Sequence, residues 1–417
     1  MSAPPVGSLV LSFEDARRVV EQHASLVGPK GTESVGLLQS PGRVLAESLV
    51  ADRDIPPFPR ATRDGYAVRS ADLQGLPAQL DVIGEVRAGE SSSAIPTDVA
   101  SGQAVSIMTG APVPRGADAV VMVEHTSLTG SQVEIRRAIA AGENVVQRGA
   151  EAAEGASLLQ PGALLTESAI ALAASAGKTR LKVFQRPQVA VLTTGDEIVD
   201  VDALPLPTQI RNSNSYSLAA QIQQSGGEPK LLSIAPDEAK ALRELIGQGL
   251  QSDLLLLTGG VSMGRYDLVE QVLSELNAEF FFTGAKIQPG RPVVFGRCRL
   301  WHDIGSTYFF GLPGNPVSTM VTFELFAKPL MQAMTGQTPC KLAFPHVRLK
   351  TEIRIKMGLK RFLPAIVSGE FENAEVELVR WQGSGDIAAT ARANCYIVVP
   401  PDREVIPAGE WVAVMMR

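Results

Sequence analysis

Between residues 187 and 336 short apolar runs alternate with helical stretches, and this alternation restricts that part of the chain to a sheet covered by helices. The runs VAVLTT (189–194) and LLLLTGG (254–260) are apolar without interruption and bounded by glycine, as expected for strands buried on both faces. Between them the pattern predicts a helix near 215–224, a strand LLSIA at 231–235 and a helix near 237–249. Helices near 267–277 and 317–334 complete the alternation. The expectation is a parallel sheet with helices on both sides, in which ligands sit in the crevice at the carboxyl ends of the strands.

Three loops occupy such ends. In Thr258-Gly259-Gly260-Val261-Ser262-Met263-Gly264 the glycines let backbone amides approach an anion closely, and hydroxyls add donors. In Leu312-Pro313-Gly314-Asn315-Pro316-Val317-Ser318, Pro316 suits a first helical position, so the free amides of that helix would face a phosphate. The acidic loop Thr194-Gly195-Asp196-Glu197 repels phosphate unless a hard cation such as Mg²⁺ lies between, and Asp267 stands close enough in sequence to the glycine loop to share that cation. Any one of these loops alone would read as a plain strand-to-helix turn. Three in one α/β unit point instead to a phosphate-holding site. The tract Ile210-Arg211-Asn212-Ser213-Asn214-Ser215 adds amides and hydroxyls ahead of a helix, with an N-cap expected at Asn214 or Ser215.

The remaining chain divides around this unit. FEDARRVVEQHAS (13–25) has helical spacing, and PGALLTESAIALAASAG (161–177) returns to helix with Thr166 or Ser168 as N-cap and Gly177 as stop, so the two are expected to pack together. Residues 52–146 hold short β-like pieces broken by Gly and Pro, and the segment from about 341 onward alternates as a further β domain. Cys298, Cys340 and Cys395 are too scattered for a disulfide framework or a zinc pair, and read as buried thiols. His23, His125, His302 and His346 lack the spacing of metal ligands. A net charge of −6 argues against a nucleic-acid partner. No apolar run reaches the roughly 18 residues needed to span a bilayer, and the start MSAPPVGSLVLSFEDARR lacks a basic signal-peptide stretch, so no membrane contact and a cytoplasmic location are expected.

The strings PPFPRATRDGYAVR (56–69), IMTGAPVP (107–114), TTGDEIV (193–199), RNSNS (211–215), LTGGVSMGRYD (257–267) and GLPGNPVS (311–318) resemble the MoeA family, which contains bacterial molybdopterin molybdenumtransferases and the gephyrin E domain. The resemblance implies a three-layer α/β/α molybdopterin-binding domain (184–336), a discontinuous helical domain (1–51 and 147–183), a β-rich domain (52–146) and a C-terminal β-barrel-like domain (337–417), in a homodimer. It implies insertion of molybdate into adenylylated molybdopterin with Mg²⁺ and release of AMP, and contact with a molybdopterin adenylyltransferase. Carried onto this chain, Glu197 and Asp267 match acids that handle metal or nucleotide, and Asp237 matches an acid at a helix start. Asp64 and Thr109 match β-rich-domain positions that face the site across the dimer. The cofactor-binding set is Thr194, Gly195, Asn212, Ser213, Asn214, Ser215, Gly259, Gly260, Ser262, Gly264, Pro289, Gly290, Pro313, Gly314, Asn315, Pro316 and Ser318.

The chain departs from that family in two places. Many members carry two lysines in a KxxxKPGKP-like segment thought to hold the oxyanion; here GAKIQPGRP (284–292) puts Gly284 and Gln288 at those positions. On a strand Lys286 shares a face with Gln288, so Lys286 and Arg291 are the expected replacements, with surface charge as the plainer alternative. In the C-terminal domain a GRxxFxR-like string becomes Gly358-Leu359-Lys360-Arg361-Phe362-Leu363-Pro364, leaving Lys360 or Arg361 to compensate. Arg63 stands where methionine usually precedes DGYA.

Overall fold

The structure, a computed structural model, describes residues 9–89, 98–260, 268–299, 305–337 and 341–417. Ser262, Gly264 and Asp267, like His302 and Cys340, lie outside the described residues.

The α/β domain carries a six-stranded sheet in the spatial order Glu228–Leu231, Gln188–Thr193, Leu254–Thr258, Ser306–Leu312, Val294–Arg299, Glu279–Phe282. The first four strands are parallel, and every residue of Leu254–Thr258 is buried, as the unbroken apolar run requires. The last two strands are antiparallel, so the sheet is mixed rather than wholly parallel. The edge strand also falls three residues before the expected LLSIA. Beyond Leu231 the chain keeps only single bonds to the sheet, Leu232 N to Val191 O and Ala235 N to Thr193 O. The chain runs from Gln188–Thr193 outward to one side and then returns to Leu254–Thr258 on the other. The crevice between those two strands is therefore the topological switch point.

Helices cover both faces. Leu218 and Ile222 of Asn214–Gln224 pack on one side with Val189, Val191 and Leu256, while Leu242 and Ile246 of Ala239–Gly249 pack on the other with Ala190, Leu192 and Leu257. The expected helix 317–334 starts at Pro316 and contains one π turn, Phe323–Ala327. Arg17, itself buried, donates to Leu325 O within that turn, supplying a partner where the regular ladder is interrupted.

The helix Phe13–Ala24, capped by Ser12 Oγ accepting from Asp15 N, buries Ala16, Val20 and Ala24 against the α/β domain. It does not share a core with the second helix as expected. That helix runs Glu167–Ser175 with Thr166, not Ser168, as N-cap, and packs with Leu45, Leu49, Leu181 and Val183. Strand pairing of Thr32–Gly36 with Arg180–Phe184 closes this discontinuous unit around the intervening β-rich segment. The latter is a six-stranded mixed sheet. At the C-terminal end five strands close on themselves through the pairing of Lys360–Ser368 with Cys395–Val399, forming a barrel. Ile287–Gln288 of the α/β domain adds to it in parallel at Lys360 and Arg361, which docks barrel and α/β domain together. Cys298 and Cys395 are free and buried, and burial pushes the Cys395 thiol up to about 11.

Candidate functional site

The three expected loops meet at the switch point. Gly259 has φ +88°, and a Cβ there would lie 2.3 Å from Thr194 O, so only glycine lets the second loop lie on the first. The third loop completes the stack, since a Cβ on Gly314 would sit 3.6 Å from Gly259 Cα. Asn214 ties the set together by donating from Nδ2 to Thr258 Oγ1 (2.9 Å) and to Gly314 O (2.7 Å). Its Oδ1 is buried with no partner among the described residues, an orphan acceptor in the wall of the site.

Around this junction opens a cavity of about 390 Å³. Thr194, Glu197, Asn212, Ser213 and Asn214 form one part of its wall; Gly259, Gly260, Pro313, Gly314, Asn315 and Pro316 form the other. Asn212 and Ser215 are spent internally. Asn212 Oδ1 accepts from Ser215 N, Asn212 Nδ2 donates to Ser215 Oγ, and Ser215 Oγ meets Thr193 Oγ1 at 2.8 Å. The helix thus starts after Ser213, and Asn212 fastens its first turn to the strand, in place of the expected cap at Asn214 or Ser215. Gly195 is buried beneath Glu197, whose carboxylate would lie 2.6 Å from a Cβ on Gly195. Asp237 does not line the cavity. It accepts from Thr194 Oγ1 (2.9 Å), and its amide donates to Asp196 Oδ1 (3.1 Å), so it braces the acidic loop.

A second cavity of about 390 Å³ shares Pro292, Pro313 and Asn315 with the first and opens toward the barrel. Gln288, Pro289, Gly290, Arg291 and Ser318 line it from the α/β domain, Leu359, Trp381, Gly383 and Ser384 from the barrel. Gly290 is required at φ +102°, where a Cβ would strike the Thr322 methyl at 2.4 Å. The N-terminus of the helix at Pro316 is not wholly free, because Val317 N donates to Ser384 O (3.0 Å) across the domain boundary.

The expected replacements for the missing lysines separate here. Arg291 lines the second cavity; Lys286 is exposed and does not. Lys360 is drawn to Glu14 and lies over the Phe13 ring at 4.7 Å, while Arg361 donates to Lys356 O (2.7 Å). Neither of them lines the cavity. Asp64 and Thr109 sit together in the β-rich unit, outside both cavities of this chain. Asp64 Oδ1 accepts from Thr109 N (2.6 Å) and Thr109 Oγ1 (2.8 Å), and these bonds, the backbone one first, hold the Asp64 carboxyl below its usual range. Ile210 and Arg211 were named in their tract but left out of the binding set, while Ile198 on the first cavity and Trp381, Gly383 and Ser384 on the second were missed. Arg211 lay inside a recognised string; the barrel residues carried no local signal.

Among the described residues no group of three or more His, Cys, Asp or Glu could hold a metal by itself. Glu197, the acid on the first cavity's wall among the described residues, is exposed, has no side-chain partner among them and offers only oxygen. That fits a hard cation that takes one or two carboxylates and completes its shell with ligand phosphate.

A doubly wound α/β domain with a polar crevice at its switch point, extended by a second cavity against a small barrel, defines a ligand-binding domain built into a multidomain chain. Residues 11–177 match the MoeA N-terminal region (domain I and II), 190–333 the probable molybdopterin binding domain, and 346–416 the MoeA C-terminal region (domain IV). The chain is 32% identical over 411 residues to a Staphylococcus aureus protein named molybdopterin molybdenumtransferase, covering 97% of this chain and 94% of that one. A Haemophilus influenzae protein of the same name is 33% identical, with 97% and 98% covered. The crystal structure of the molybdopterin biosynthesis moeA protein from Pyrococcus horikoshii OT3 superposes with a TM-score of 0.76 at 26% identity, covering 98% and 100%. The chain belongs to the MoeA family.

Proposed function

We propose that this chain is a molybdopterin molybdenumtransferase of molybdenum cofactor biosynthesis, which inserts molybdate into adenylylated molybdopterin, opens the phosphoanhydride and releases AMP. The observation that carries the reading is the paired cavity: a switch-point lobe suited to phosphate and pterin joins, through Pro292, Pro313 and Asn315, a second lobe whose lining cation is Arg291. Asn214 Oδ1, held by its two Nδ2 bonds, is the acceptor left for a donor on the pterin side. Arg291, with Ser318 and Gln288 beside it, offers a planar fork of donors to the tetrahedral oxyanion. Glu197, with Asp267 added from the family resemblance, would hold Mg²⁺, whose chemistry there is to offset phosphate charge on the departing AMP. Asp237 keeps the acidic loop in place through Thr194.

Mg²⁺ dependence, a homodimer in which Asp64 and Thr109 reach the partner's site, delivery of substrate by a molybdopterin adenylyltransferase and a cytoplasmic location all belong to this proposal. No helix among the described residues is long and apolar enough to cross a membrane. A second reading, a pterin-binding scaffold that has lost insertion, draws on one observation: Lys360 and Arg361 are engaged elsewhere, leaving the oxyanion lobe a single lining guanidinium among the described residues. Purified protein given adenylylated molybdopterin, molybdate and Mg²⁺ separates the two. Release of AMP that needs molybdate supports the transferase, and tight pterin binding without such release supports the scaffold. Glu197→Gln is expected to raise the Mg²⁺ concentration needed for half-maximal release while leaving the unfolding midpoint unchanged.

A further inference from the structure

A third cavity lies at the opposite end of the sheet. It opens beside the starts of Gln188–Thr193, Leu254–Thr258 and Ser306–Leu312, about 17–20 Å of strand from the loops described above. Its volume is about 350 Å³, within the range of small-molecule sites. Val27, Pro187, the Tyr308 ring and Met334 supply the apolar part of its wall, and Gln185 and Ser306 add neutral polar groups. The Tyr308 ring is fixed from behind, since its hydroxyl meets His23 Nδ1 at 3.2 Å and the ring stacks on Phe295 at 5.8 Å.

The rim is charged and unevenly satisfied. Both Asp253 oxygens are engaged: Oδ2 accepts from Gln188 N (2.7 Å) and Oδ1 from Lys30 Nζ (2.6 Å). Lys30 keeps further donors and is 76% exposed. Arg186 is exposed and has no hydrogen-bond or ion partner among the described residues. Among the described residues the rim sets two cations against one carboxylate, a net charge of +1. An apolar surface beside a rim whose described charges sum to one positive, and whose described carboxylate is already paired, suits a flat apolar monoanion.

We propose that this cavity is a binding site for a small aromatic monocarboxylate, its ring on Met334 and Tyr308 and its carboxylate on Arg186 and Lys30. The site joins the loop after the first helix to the α/β domain, so an occupant bridges two parts of the chain remote from the reacting lobes.

Titration of the full chain with 2-naphthoate, followed by ligand-observed NMR and by the Met334 methyl resonance, tests this. The expected result is saturable binding that shifts the Met334 methyl and weakens by about tenfold or more in Arg186→Glu and for neutral 2-naphthamide, the size of one charge-assisted bond. Arg291→Ala is expected to leave naphthoate binding unchanged, which keeps this site distinct from the oxyanion lobe. No saturable binding, equal binding of naphthamide, no effect of Arg186→Glu, or loss of binding in Arg291→Ala would each overturn the proposal.

Discussion

The two joined lobes are built on opposite principles. The switch-point lobe is an internally satisfied framework: Gly259 lies against Thr194, Asn214 bonds Thr258 and Gly314, and Asp237 holds Thr194. Thr193, Asn212, Ser215 and the Asn214 amide nitrogen are bonded within it before any ligand arrives, which leaves Glu197 and the Asn214 oxygen facing the cavity. The second lobe is a gap between two domains, closed by the Val317 to Ser384 bond and lined, among the described residues, by a single guanidinium. Rigid backbone geometry therefore defines the first lobe, and the identity of a few side chains defines the second.

That contrast can be broken most severely at Gly259. Gly259→Val places branched carbons against Thr194 O in a left-handed conformation and is expected to cost about 3 kcal/mol, read as a lower urea midpoint, with loss of pterin-nucleotide binding. Asn214→Ala strips two bonds from the same framework. A loss of about 2 kcal/mol is expected, again with weaker ligand binding but with the native circular-dichroism spectrum retained. An Asn214→Ala protein as stable as the parent would mean the loops hold together without it.

A smaller effect is expected at Asp64. Its folded pKa is depressed below the ordinary 3.8, so the charge stabilises the fold above that value and the contribution disappears as pH falls through the folded pKa. Asp64→Asn should therefore lower the thermal midpoint at neutral pH, and the gap between the two proteins should close as pH drops below 3.8. A gap independent of pH would contradict the assignment. The smallest effect is expected at Lys360, whose partner Glu14 is 57% exposed. Lys360→Met should cost less than about 1 kcal/mol and leave the molybdate dependence of AMP release unchanged.

The same contrast explains what could be read from sequence. The strands Gln188–Thr193 and Leu254–Thr258 and the three loops after the parallel strands were legible because burial on both faces leaves unbroken apolar runs, and tight backbone approach leaves glycine. The edge strand Glu228–Leu231 was misplaced because its residues are half exposed and polar, so the more apolar LLSIA drew the assignment. The pairing of Glu279–Phe282 with Val294–Arg299 was missed because the segment 283–293 between them is longer than a hairpin turn and pairs with other parts of the chain, and the π turn at Phe323–Ala327 is invisible to a 3.6-residue period. The second lobe was barely legible. Gln288, Arg291 and Ser318 come together within the α/β domain, Trp381 meets them only through docking of barrel on sheet, and of Lys286 and Arg291 only Arg291 lines the cavity.

If the lobes divide the work, one for the pterin nucleotide and one for the oxyanion, Arg291→Ala is the decisive variant. Its AMP release should be measured against molybdate concentration, alongside equilibrium binding of adenylylated molybdopterin. The expected result is a molybdate requirement raised by about tenfold or more with pterin-nucleotide affinity unchanged. Equal loss of both, or no change in the molybdate requirement, would contradict the division.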